Sequence, residues 1–179
     1  RIAENLESRK AEFVSLVAKE EAISSAKSKN IVEESIDRLI YFAGWSDKYQ
    51  QLFSSVNPVA SSHFNFSMAE ATGVVTSICG DGVMFKGLVS ATAATICGGN
   101  TLIILANEKA PLSAISFAEV LQHSDVPAGV INILTGKKEE LQNHMASHMD
   151  VNALLLLGYS PKESLELELV ATENLKRVR

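Results

Sequence analysis

The chain has 179 residues, 46% of them apolar and 21% charged, with a formal net charge of −5 and two cysteines. That is ordinary globular usage, sufficient for one buried core, and its lysines and arginines form no basic stripe, which argues against a nucleic-acid surface or a polybasic membrane anchor. The longest apolar runs, Ala153 to Leu157 and Thr101 to Ala106, fall far short of the ~20 residues of a membrane-spanning helix; two cysteines make no disulfide framework, so a soluble protein of the reducing cytoplasm is expected.

In chain order, Ile2, Leu6, Phe13, Leu16 and Val17 fall on one stripe and predict an amphipathic helix from Ile2 to about Ala26. Because the pattern is already helical at Arg1, further chain is expected upstream. A second helix follows, with Asn30 and Glu33 spaced as a capping box and Val32, Ile36, Leu39, Ile40 and Ala43 as its buried face, ending near Gly44. Between Leu52 and Thr72 serines and Asn57-Pro58 give way to alternation at Phe64, Phe66 and Met68, which reads as a strand or hairpin.

From residue 73 onward short apolar runs recur: Val74 to Cys79, Thr101 to Leu105, Val130 to Leu134 and Val151 to Leu157, with helical stretches between. Continuous rather than alternating apolar runs are the mark of strands covered on both faces. The expected fold is therefore α/β, an open, doubly wound parallel sheet preceded by two helices and a hairpin. The organisation reads as a helical pair over 1–50, a connecting hairpin over 51–72 and a βαβ core over 73–179, all one domain. Gly98-Gly99 should end one helix, and Ser160-Pro161 with Glu163 should cap the last.

Ligands of open α/β sheets sit beyond the carboxyl ends of the strands, here Gly80-Asp81-Gly82, Ala106-Asn107-Glu108, Thr135-Gly136-Lys137-Lys138 and Gly158-Tyr159-Ser160. The first of these is a tight turn rather than a dinucleotide fingerprint, because Phe85 stands where a third glycine belongs. His144 and His148 are four apart, a spacing open to a metal ion, but they lack the glutamate of the metalloprotease motif and read as a solvated helix face. Cys79 and Cys97 have no base nearby and read as small buried hydrophobes. Lys137 and Lys138, followed at once by Glu139 and Glu140, read as a solvated helix start.

Several strings together resemble the cofactor-binding domain of the aldehyde dehydrogenase superfamily over essentially the whole chain. They are Gly73-Val74-Val75, Gly99-Asn100-Thr101 with Pro111-Leu112-Ser113-Ala114, and Val126-Pro127-Ala128-Gly129-Val130-Ile131-Asn132 ending in Thr135-Gly136. His148-Met149-Asp150-Val151 and Asn174-Leu175-Lys176 complete the set. The resemblance implies a Rossmann-like fold of the aldehyde dehydrogenase type and, for the parent enzyme, NAD or NADP.

Against that family pattern this chain is altered. Gly82 occupies the place of the oxyanion-hole asparagine, and Leu105 that of the lysine that holds the adenosine ribose, while Glu108 is kept. After Gly136 come Lys138 and Gln142 where the family usually has glycines, and after Gly158 comes Tyr159 where it has a phosphate-binding serine. Neither cysteine aligns with the catalytic nucleophile, and the segment with the general-base glutamate would follow Arg179. Glu108, Gly136, Gly158, Tyr159 and Gly82 are thus degenerate candidates for cofactor contact, and no catalytic residue and no bound cofactor are expected in this chain.

The pattern is most similar to the noncatalytic C-terminal module of family 16 aldehyde dehydrogenases. It implies a structural or oligomerisation role beside a catalytic aldehyde dehydrogenase unit of the same polypeptide, or in a homo-oligomer. The alternatives are an NAD(P)-binding part of an active enzyme that oxidises aldehydes to carboxylic acids, and an unrelated small-ligand or metal site on the same scaffold.

Overall fold

The computed structural model describes every residue, Arg1–Arg179. Its leading segment is three helices, α1 (Ile2–Ser8), α2 (Lys10–Glu20) and α3 (Ser25–Ser46). The single helix expected over 2–26 is broken twice: at Arg9, whose φ and ψ of −100° and 13° leave the helical region, and at Ala22, which turns the chain at a φ of 51°. The break at Arg9 is held by its guanidinium, which donates to the Glu12 and Glu119 carboxylates at 2.6 and 2.8 Å.

The second expected helix starts earlier than Asn30. Ser24 is its cap, accepting the Lys27 N–H, and Asn30 lies well inside α3. Val32, Ile36 and Leu39 face the core as expected, whereas Ile40 and Ala43 do not and instead line a surface groove. A short helix α4 (Tyr49–Phe53) then leads into an antiparallel hairpin, β1 (Ser55–Asn57) and β2 (Asn65–Ser67).

The rest is the expected parallel sheet: β3 (Val74–Cys79), α5 (Phe85–Cys97), β4 (Thr101–Leu105), α6 (Pro111–Gln122), β5 (Ile131–Leu134), α7 (Lys138–Ser147), β6 (Ala153–Leu157), α8 (Pro161–Ala171) and β7 (Arg177–Val178). The strand order is β5-β4-β3-β6-β7, all neighbours parallel. Winding runs outward from β3 through β4 to β5, then crosses back to β6, so the order reverses beside β3. A crevice opens at such a switch point, outside the carboxyl ends of the strands.

β3 is buried on both faces, which is why it reads as an unbroken apolar run. Val75 and Cys79 belong to a cluster of 21 buried residues shared with α1, α2, α3, α5 and α6, and Ile78 to a cluster of six shared with α7 and α8. The larger cluster is pinned by three rings: Phe13 of α2 lies 5.1 Å from Phe85 of α5, which meets Phe117 of α6 edge-on at 6.0 Å. All three are at most 1% exposed, so removing the central ring leaves a cavity at the junction of three helices and costs roughly 3–5 kcal/mol.

Candidate functional site

The four loops at the carboxyl edge do converge, and they are tied to each other rather than left open. The Gly80 N–H donates to the Leu157 carbonyl at 2.8 Å. Asn107, at 8% exposure, donates from Nδ2 to the Gly80 carbonyl at 2.7 Å and accepts the Lys109 N–H at 3.0 Å. Gly82 turns at a φ of 74°. Gly158 is also left-handed, at 73°, and a Cβ there would come within 2.6 Å of Val83 and 2.7 Å of the Asp81 carbonyl oxygen, so the close approach of the two loops requires glycine.

Each candidate residue can now be placed. Glu108, exposed at the end of β4, accepts the backbone N–H of Lys138 through Oε1 at 2.6 Å. Gly136 precedes α7 and packs against Leu141. Tyr159 lays its ring against Gly80 and donates from its hydroxyl to Gln142 Oε1 at 3.1 Å. Burial raises the Tyr159 phenol above its ordinary pKa, aided by the nearby Glu163, Cys79 and Asp81. Leu105 is fully buried in the smaller cluster beneath α7, an alkyl chain in an alkyl environment.

The expected solvated helix start does not hold for Lys138. Its ammonium lies 5.0 Å above the Tyr159 ring and 3.5 Å from the Glu163 carboxylate, and its side chain is only 21% exposed. The four-carbon stem is drawn over the aromatic face while the charge finds a carboxylate at the rim. Lys137 alone behaves as read, exposed beside Glu140. What remains between Cys79, Asn107, Glu108 and Lys138 is a cavity of about 140 Å³, against the ~300 Å³ of the smallest ordinary ligand clefts.

The helix N-termini at this edge carry carboxylates, of which only the one at α8 is announced by a local pattern. Such ends hold unpaired N–H groups and a partial positive charge, the usual seat of a ligand phosphate. At α6 the Leu112 and Ser113 N–H groups donate to the two carboxylate oxygens of Glu20, at 2.6 and 3.1 Å. At α7 the first N–H goes to Glu108. At α8 a full capping box forms: Ser160 accepts the Glu163 N–H, and Glu163 accepts the Ser160 N–H at 2.9 Å. Hydrogen bonding to Ser160 holds the Glu163 carboxyl below its ordinary pKa, so it is an anion at neutral pH. Three helix ends therefore already bear carboxylates of this chain.

The other expected groups lie apart from one another. Cys79 is buried at the end of β3, and burial pushes its thiol up to about 12, so it is protonated and unreactive at neutral pH. Cys97 lies at the far end of α5 and is only partly buried, contrary to the expectation of a buried hydrophobe. His144 lies in the last turn of α7, but His148 has left the helix, with an extended ψ of 127°, and its Nδ1 accepts the Asp150 N–H. The i, i+4 spacing therefore does not put the two imidazoles on one helical face, and no group of three or more His, Cys, Asp or Glu is arranged to hold a metal.

With this geometry in place, comparison with known proteins gives a consistent picture. The chain is 29% identical over 180 residues to the mitochondrial 10-formyltetrahydrofolate dehydrogenase of Homo sapiens, an alignment that takes in 99% of this chain and 20% of that protein. It is 32% identical over 143 residues to the cytosolic aldehyde dehydrogenase 1 of Elephantulus edwardii, covering 80% of this chain and 28% of that protein. The betaine aldehyde dehydrogenase of Staphylococcus aureus, solved in complex with NAD+, shares the fold with a TM-score of 0.91 at 20% identity, over 99% of this chain and 35% of its own. A lactaldehyde dehydrogenase gives 0.91 at 23% identity, over 99% of this chain and 36% of its own. The chain thus spans 20% to 36% of the length of these relatives. The sequence profile of the aldehyde dehydrogenase family matches residues 1–179, the whole of the sheet and its leading helices, and the chain belongs to that family.

Proposed function

We propose that this chain is a noncatalytic aldehyde-dehydrogenase-like module, a scaffold whose cofactor cleft is filled by its own side chains and whose role is structural, beside a catalytic unit or a second subunit. One observation carries the reading: Glu20, Glu108 and Glu163 occupy the N-termini of α6, α7 and α8. A dinucleotide brings its pyrophosphate to such an end, where it would meet a like charge and would have to displace hydrogen bonds already made. Tyr159 over Gly80 and Lys138 over Tyr159 take the space beside α8.

The structural half of the proposal is supported by the hairpin. Residues 49–69 contain no Asp, Glu, Lys or Arg, and Phe53, Val56, Phe64, Phe66 and Met68 are all more than half exposed. A two-stranded sheet is marginal in water by itself, and an uncharged apolar face of this kind marks a contact surface.

A second reading is favoured by the S. aureus enzyme, which holds NAD+ on the same fold. In it this chain is the NAD(P)-binding part of an active aldehyde-oxidising enzyme, and Glu108 receives the ribose. Isothermal titration of the protein with NAD and with NADP separates the two. The module reading expects no binding heat from either dinucleotide, and one-to-one binding at micromolar affinity overturns it in favour of the second.

A further inference from the structure

We draw no further inference here: the strongest candidate, the apolar groove of about 480 Å³ between α1, α3 and α5 that is lined by Ile2, Leu39, Ile40, Phe42, Ile96 and Cys97, carries nothing because nothing in the structure shows what covers it.

Discussion

Replacing Glu20 by alanine removes the carboxylate that accepts the Leu112 and Ser113 N–H groups at 2.6 and 3.1 Å. Helix α6 has no side-chain cap of its own: Ala110 stands at the cap position, and Pro111 itself has no N–H. The cap is thus delivered from α2, across 92 residues of sequence. A lost cap costs about 0.5–2 kcal/mol, and hydrogen bonds to a charged acceptor stand at the upper end of the ordinary range. Leu112 is exposed and water can replace its bond, while Ser113 is buried, so we set Glu20→Ala at about 1.5 kcal/mol, the greater part from Ser113. For a chain of this size that lowers the melting temperature by roughly 3–6 °C, and Glu20→Gln, which keeps one acceptor, by about half as much. Calorimetric melting measures both, and amide exchange at Leu112 and Ser113 should accelerate in the alanine variant. A Glu20→Ala melt indistinguishable from the parent refutes the reasoning.

Further outcomes follow from the same structure. The Thr76 hydroxyl is buried in β3 without a hydrogen-bond partner; Thr76→Val keeps the branched shape and should raise stability in urea by about 1 kcal/mol, while a loss would show a missed partner. Hydrogen bonds to Arg9, Lys10 and Lys86 hold the Glu12, Glu33 and Glu34 carboxyls below their ordinary pKa of 4.5. Native protein binds fewer protons there than unfolded chain, so this stability is present above pH 4.5 and is lost as the pH falls through the lowered values. Burial moves Glu21 the other way, a penalty felt at neutral pH and relieved below 4.5. Glu21→Gln should therefore melt above the parent at pH 7, with the gap closing at pH 4; a gap that widens on acidification contradicts the assignment. Burial raises the Cys97 thiol too, but its partial exposure leaves it reachable, so a thiol reagent at pH 8 should modify Cys97 in the native protein and Cys79 only on unfolding, and Cys97→Ser should abolish the native-state phase.

The sheet was legible because its strands are short, wholly apolar and separated by amphipathic helices. The runs 74–79 and 101–105 coincide with β3 and β4 to the residue. β7 was not legible, since Arg177 and Val178 have no apolar run and join the sheet only by pairing with Ala153 and Leu154. The start of α3 was misplaced because Ser28, fully buried and donating to the Val14 carbonyl at 2.6 Å, occupies the core stripe where an apolar residue is looked for. Without it the apolar periodicity begins at Val32, and Asn30 becomes the nearest cap. The breaks at Arg9 and Ala22 escape for a similar reason: the apolar stripe continues across both, and what turns the chain at Arg9 includes an ion pair with Glu119, 110 residues away.

At the site, the altered residues were legible one by one but their mutual arrangement was not. Tyr159 and Lys138 stand out only against a family pattern, and nothing local says that one ring lies beneath the other's ammonium. Glu163 announces itself through the Ser160-Pro161 capping box, whereas Glu20 and Glu108 cap helices 92 and 30 residues distant and have no signature in their own surroundings. These distant caps also bear on dinucleotide binding in the module reading proposed above. On the module reading, serine at position 159 or glycine at 138 would clear space, but the N–H groups of α6 and α7 would still be held by Glu20 and Glu108. Since an anion at a helix end is worth about as much whether it comes from a ligand or from the chain, the carboxylates already there compete with any phosphate at full effective concentration. On the module reading proposed above, the family fold is kept while the chain itself supplies the anions at these helix ends, two of them from far along the sequence.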